Sequence, residues 1–323
     1  MTIKVFDDRI EFDQGYVLST NADGLALNGK IKSTAFPIVE LPQGFQGSNF
    51  GYASGGAIDK FPFAADTNAT DVGDLTQART FVAGQSSTVS GYTSGGYYFL
   101  ASSNVIDKFP FAADANATDV GNLTQGRYGV AGQSSTVSGY TSGGRYPSVY
   151  NTIDKFSFAA DANATDVGDL TRFGYYVTGQ SSTVSGYTSG GFTPSNVNII
   201  DKFPFAADAN ATDVGDLTQA RNLPSGQSST ESGYTSGGFA PPFVNTIDKF
   251  PFAADANATD VGNLTQGRYG AAGQSSTESG YTSGGRYSSV DNTIDKFSFA
   301  ADANATDVGD LSVASNYAAG QQY

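Results

Sequence analysis

A phrase repeated six times, the lack of any helical spacing of apolar residues, and a C-terminus that resembles the start of a repeat predict an all-β fold. The expected form is a six-bladed β-propeller of four-stranded blades, closed by the C-terminal strand and preceded by a short N-terminal β segment. The phrase "GYTSGG" stands at Gly91 and returns at Gly139, Gly186, Gly233 and Gly280, with "GYASGG" at Gly51. A second phrase, "IDKF", begins at Ile58, Ile106, Ile153, Ile200, Ile247 and Ile294, in steps of 48 and then 47 residues. Fixed periods of about 20–50 residues mark stacked or ring architectures, because each unit buries its apolar face only against its neighbours.

Residues 1–43 lie outside the repeat. "IKVFDDRIEF" and "YVLSTNADGLALNGKI" read as short strands with a turn at Asn21–Gly24, too small for a core of their own. From residue 44 to 323 each period runs in one order: "GYTSGG", a variable loop, "NTIDKFPFAAD", "ANATDVGDLT", a variable link, then "GQSST". Short runs rich in Val, Ile, Thr, Phe and Tyr, broken by Gly, Asn, Asp and Ser, give about four strands per period. In "IDKFPF", Phe61 and Phe63 are two apart and share a sheet face, where they can pack on the next blade. Pro62 between them donates no ladder hydrogen bond, so the strand is expected to be unpaired on one side there.

The diglycine, the "IDKF" strand, a polar turn and "DLTQAR" resemble a kelch repeat over about residues 44–323. The usual tryptophan is missing, and Val72 and Leu75 fall near its place. That resemblance implies a propeller and leaves function open. Copies one to three match copies four to six: "GDLTQAR" occurs at Gly73 and Gly215, and "GNLTQGRYG" at Gly121 and Gly262. A duplicated three-repeat unit gives a six-bladed ring. The last residues, "SNYAAGQQY", resemble "GRYGAAGQSS", so Asn316–Tyr323 is expected to supply the innermost strand of the first blade and to remove the free sheet edges.

Composition excludes several chemistries. The chain has 323 residues and no Cys, no His and no Trp, so disulfides, thiol or imidazole catalysis and ordinary zinc sites are ruled out. A net charge of −14 argues against nucleic acid and against anionic membranes as partners. No run is long and apolar enough to span a bilayer. The opening "MTIKVFDDRIEF" carries acids where a signal peptide needs an apolar core, so no signal peptide is expected.

Strands alternate in direction, so the loops after "GYTSGG" and the links between blades emerge on one face. Both vary between copies, and both are rich in Tyr, Phe and Arg. The residues expected to form a ligand-binding face are Tyr97, Tyr98, Phe99, Arg127, Tyr128, Arg145, Tyr146, Tyr150, Tyr175, Phe192, Phe239, Phe243, Arg268, Tyr269, Arg286 and Tyr287. Rigid aromatic rings supply contact area at small entropic cost, and rigid scaffolds carry binding on their loops. The competing reading is that duplicated loops drift and the aromatics seal the blade tips; the concentration of Tyr and Arg favours binding.

The remaining motifs have plainer readings. "DANATDVGD" places oxygens as some calcium loops do, but its glycine is misplaced, and Asp/Asn turns occur for backbone reasons. No metal and no cofactor is expected. The repeated Asn-Ala-Thr follows from duplication. Asp59–Lys60 and its counterparts are expected to be solvated strand positions. With only four glutamates and nearly identical aspartates in every copy, the asymmetric constellation of an active site is missing, so no enzyme is expected.

The leader resembles the openings of tail and fibre proteins of tailed bacteriophages, and the repeat phrases resemble structural proteins of marine phages, including those of cyanobacteria. This implies a non-enzymatic virion protein: residues 1–43 would anchor it to other virion proteins, and the varied face would meet a host-surface glycan or protein. A virion protein reaches the outside by lysis, consistent with the expected lack of a signal. A tail or fibre position would suit a homo-oligomer. A purely structural adaptor or decoration role, and a glycan-cleaving enzyme, are the alternatives.

Overall fold

The computed structural model describes the strands within residues 1–28 and then residues 46–241 and 243–323. The chain divides into two units, Met1–Leu41 and Pro42–Tyr323. In the first, Ile3–Val5, Arg9–Phe12, Val17–Asn21 and Gly24–Asn28 form an antiparallel meander in chain order, with Asn21 opposite Gly24.

The second unit is the six-bladed β-propeller, each blade a four-stranded antiparallel sheet. Blade 2 is typical: Ala83–Ser86 innermost, then Ser90–Ser94, Val105–Pro110 and Thr118–Asn122 outermost. Blades 3 to 6 follow in chain order. Blade 1 is built from both ends of the unit, because Ala319–Gln322 pairs with Phe50–Ser54, which continues to Ala57–Pro62 and Thr70–Asp74. The C-terminal strand therefore closes the ring, as the sequence predicts.

The refrain is a seam. In each copy of "GYTSGG" the first glycine faces a phenylalanine across the strand pair, as Gly91 faces Phe109, and a Cβ on Gly91 would collide with that ring. The ring so seated meets the tyrosine of the preceding blade: Tyr52 packs against Phe109 at 5.5 Å and stacks on Phe111 at 5.0 Å. The same trio recurs at every seam, and Tyr281 with Phe61 and Phe63 completes the circle. Thr and Ser serve the inner strand. The Gln85 amide nitrogen lies 2.9 Å from the Tyr140 carbonyl, 3.0 Å from the Thr141 hydroxyl and 2.9 Å from the Ser94 hydroxyl, tying blade 2 to blade 3. Gln133, Gln180, Gln227, Gln274 and Gln321 repeat the link, and Gln321 reaches Tyr92 and Thr93 to close it. In "GYASGG", Ala53 stands in the threonine's place, and Gln274 keeps only the Tyr52 carbonyl and Ser283. The final diglycine turns the chain through left-handed backbone, with φ of +66° and +103° at Gly95 and Gly96, a region that disfavours side chains.

Further bonds run around the outside. Lys60 pairs with Asp114 at 2.9 Å, and the matching pairs continue to Lys296–Asp66 at 3.0 Å. Each Asn of "ANAT" accepts a backbone N–H of the preceding blade, as Asn116 Oδ1 does from Asp74 at 3.0 Å. In the "DANATDVGD" stretch Asp114, Asn116 and Asp119 thus turn to three separate partners, Lys60, Asp74 and Gly121. Pro62 pairs with Phe50 on one side, while the outer-strand ladder reaches only from Ala57 to Lys60, leaving the proline free of a missing donor.

Innermost, the six strands approach around a channel through Gly84, Gly132, Gly179, Gly226, Gly273 and Gly320, where a Cβ would strike the carbonyl of the preceding blade's glycine. Gly179→Ala is expected to cost about 3 kcal/mol or more, since nothing there is free to shift. Gly55→Ala, with 3.4 Å of clearance, is expected to cost under about 1 kcal/mol. Urea unfolding of the two variants beside the parent checks both.

Candidate functional site

The loops after the diglycines and the links between blades lie together on one face. The first loop residue bridges the link in five blades: Tyr97 with Thr80, Arg145 with Tyr128, Phe192 with Tyr175, Phe239 with Asn222, and Arg286 with Tyr269. One residue further along each link stands Phe81, Gly129, Tyr176, Leu223, Gly270 or Tyr317. All six have φ between +53° and +68°. Their N–H groups form a closed cycle: Phe81 donates to the Tyr317 carbonyl at 2.8 Å, Gly129 to Phe81 at 2.9 Å, Tyr176 to Gly129 at 2.8 Å, Leu223 to Tyr176 at 2.8 Å, Gly270 to Leu223 at 2.9 Å, and Tyr317 to Gly270 at 2.6 Å. Left-handed backbone costs about 1–2 kcal/mol for a residue with a side chain. The cycle gives each strained residue one hydrogen bond as donor and one as acceptor, and so holds all six in place.

This cycle rims the channel, whose volume of about 120 Å³ is lined by the inner strands. That is small beside the roughly 300 Å³ at which ligand pockets begin. Anything larger than a few waters must lie across the mouth. Aromatic rings cover it. Phe81 stacks on Tyr317 at 3.9 Å and meets Tyr176 at 5.2 Å and Tyr128 at 5.8 Å. The belt extends one way through Tyr97 on Tyr128 and through Tyr175 and Phe192 beside Tyr176. It extends the other way through Tyr269, Phe243, Phe239 and Tyr287. Arg145 lies 5.1 Å from the Tyr175 ring and donates to its hydroxyl at 3.1 Å. Burial pushes the Tyr176 and Tyr317 phenols up to about 12, so both remain protonated donors at neutral pH.

The sixteen residues expected from sequence divide three ways. Tyr98, Phe99, Arg145, Tyr146, Arg286 and Tyr287 are exposed; Tyr97, Tyr128, Phe192, Phe239, Phe243 and Tyr269 are half-buried in the belt, and Tyr150 is half-buried without a ring contact to it among the described residues; Tyr175 is a buried member of the belt. Arg127 and Arg268 require correction. Their side chains are 0% and 1% exposed and are held inside the seam by Asp154 at 3.1 Å and Asp295 at 3.0 Å, out of a ligand's reach. The sequence reading missed Phe81, Tyr176 and Tyr317. The signal was there: aligned copies put glycine at two of these six places, Gly129 and Gly270, marking a backbone that side chains resist.

The aspartates of "IDKF" also need correction. They are not solvated: Asp59 is 5% exposed and Asp107, Asp154, Asp248 and Asp295 are 0%. Each accepts from a threonine or serine and, at four seams, forms an ion pair with the arginine that ends the preceding "LTQAR" or "LTQGR"; Asp107 accepts from Thr76 and from Arg79, the latter at 2.8 Å. The fourth blade's Asp201 faces Gly174 in that place, with Arg172 nearby. At the closing seam the chain reads "DLSVAS", so Asp59 has Ser312 as its donor and Ser315 where the arginine would be. Burial raises the carboxyls of Asp59 and Asp201 above their ordinary value.

No protein-family model matches the chain, and no curated protein matches it.

Two equivalent substitutions should therefore behave oppositely. Asp107→Asn strands the buried Arg79 guanidinium and is expected to cost about 3–5 kcal/mol. Asp59 has a raised folded-state value, so its stabilising contribution is complete in acid and is lost as pH rises through that value. Asp59→Asn should accordingly gain on the parent as pH rises from acid past the ordinary carboxylate range. Urea unfolding across that range reads both outcomes.

Proposed function

We propose that the chain is a non-enzymatic binding protein of a phage virion, tail- or fibre-associated, whose propeller lays its aromatic face against a host-surface glycan. One observation carries the binding role: a continuous belt of rings over the channel mouth, from Phe192 through Phe81 and Tyr317 to Tyr287, framed by the exposed Arg145 and Arg286. Pyranose rings present apolar C–H faces that pack on aromatic rings, while tyrosine hydroxyls and arginines supply the donors that sugar oxygens accept. The shallow mouth suits an extended chain lying across it. The virion setting rests on the resemblance of the leader and repeat phrases.

A second reading, a structural adaptor, is favoured by one feature. Phe99 and Leu100 at the tip of the Tyr97–Tyr98 and Ala101–Ser102 hairpin are 86% and 82% exposed, as suits a protein contact.

Binding of the purified chain to a panel of bacterial cells and their surface polysaccharides separates the two. The parent is expected to bind one of them, and a variant with Tyr97, Tyr98, Phe99, Tyr146, Phe239 and Tyr287 changed to Ser is expected to lose at least about tenfold in affinity while keeping the parent's unfolding midpoint. Equal binding by both would remove the varied face as the receptor site. No binding across the panel, with firm association to virion proteins, would favour the adaptor.

A further inference from the structure

Blade 1 departs from the other five on the varied face. Its second and third strands are joined by Gly55 and Gly56 alone, where the other blades carry loops beginning at Tyr97, Arg145, Phe192, Phe239 and Arg286. In those five blades the first loop residue and the link residue exchange two backbone hydrogen bonds, as Thr80 and Tyr97 do at 3.2 and 2.8 Å and Tyr269 and Arg286 at 3.1 and 2.9 Å. The sixth link residue is Asn316. With no loop opposite, its N–H and C=O have no backbone partner among the described residues. Exposure marks the same gap independently: the diglycines of blades 2 to 6 are buried, while Gly55 and Gly56 are half-exposed. The result is a notch at Gly55, Gly56 and Ala57, with Ala318 beside Gly55 and Ala78 beside Gly56. Tyr317, next after Asn316, opens it onto the aromatic belt.

We propose that this notch is a subsite for the 2-acetamido group of an N-acetylated amino sugar. The inference rests on the glycan reading above and names the sugar class. A 2-acetamido sugar carries an amide N–H and a hydroxyl on adjacent ring carbons. The amide N–H donates to the Asn316 carbonyl, and the neighbouring hydroxyl oxygen accepts the Asn316 N–H, which reproduces the exchange the loop residue makes elsewhere. The acetyl methyl covers the small apolar surface of Gly55, Ala57 and Ala318. The sugar ring then extends towards Tyr317 and Phe81. Among the described residues no loop side chain stands there, because blade 1 lacks the loop that would supply it.

Calorimetric titration with oligosaccharides of N-acetylglucosamine and N-acetylgalactosamine, each beside its neutral analogue bearing hydroxyl at carbon 2, tests the assignment. The N-acetylated form is expected to bind at least about tenfold more tightly, the effect of one hydrogen bond and a buried methyl. Asn316→Pro removes an N–H that no described protein group uses, and Gly55→Leu, whose Cβ has ordinary clearance beside Ala318, crowds the notch; both are expected to erase the preference while leaving the urea midpoint near the parent's. Equal binding of both sugar classes, or a preference that survives both variants, would overturn the notch assignment and leave the glycan reading standing. Binding of none of these sugars, but of surface polysaccharides free of amino sugars, would overturn the notch alone. Binding of N-acetylalanine methylamide in the notch, with no saccharide of any kind bound, would overturn both readings and assign the site to peptide.

Discussion

The close approach of six inner strands is the constraint on which the rest of the molecule depends. Strands that meet glycine on carbonyl leave no room for adjustment, so each seam must be built alike or the ring fails to close. The glutamine amides, the Tyr–Phe–Phe trios and the threonine-bound aspartates supply that likeness. They account for why "GYTSGG" and "IDKF" are copied so closely: the refrain either meets a neighbouring blade or, as at Gly91, seats the ring that does. Most of what differs between copies lies in the loops and links; Ala53, Gly174 and Ser315 are departures within the seams.

The ring as a whole was legible in the sequence because ring closure imposes period, and period is visible without coordinates. Six copies, an inner-strand phrase at the C-terminus and Pro62 beyond the outer ladder each had one meaning. The site was less legible. Arg127 and Arg268 sit between two variable stretches in sequence, and only the fold shows that their side chains turn inward to Asp154 and Asp295. Asp59 and its counterparts read as surface charge because alternation along one strand does not reveal that a neighbouring blade covers it. Phe81, Tyr176 and Tyr317 were hidden for another reason: a tyrosine next to an inner strand looks like core, and its left-handed backbone is a property of the closed cycle rather than of the residue.

The varied face and the fixed seams are two consequences of one design. A rigid ring fixes the positions of the belt rings, so substitutions in the loops change contacts without moving the frame. Departures cluster where the two ends of the propeller unit meet. Blade 1 has Ala53 for threonine, no second-to-third-strand loop and an aspartate without its arginine, and the link that enters it carries Tyr317 and Asn316. The closing blade is thus at once the weakest in seam chemistry and the most open to a ligand.

The central claim is that blade 1, assembled from two ends of the unit, stays closed until the whole ring unfolds. Native-state hydrogen exchange at the six N–H groups of the mouth cycle measures this directly. The account predicts that the amides of Phe81, Gly129, Tyr176, Leu223, Gly270 and Tyr317 exchange together, through global unfolding alone. Much faster exchange at Phe81 and along Ala319–Gln322 than at Tyr176 and Leu223 would contradict it, because the ring would then open at blade 1 while the other blades remained folded.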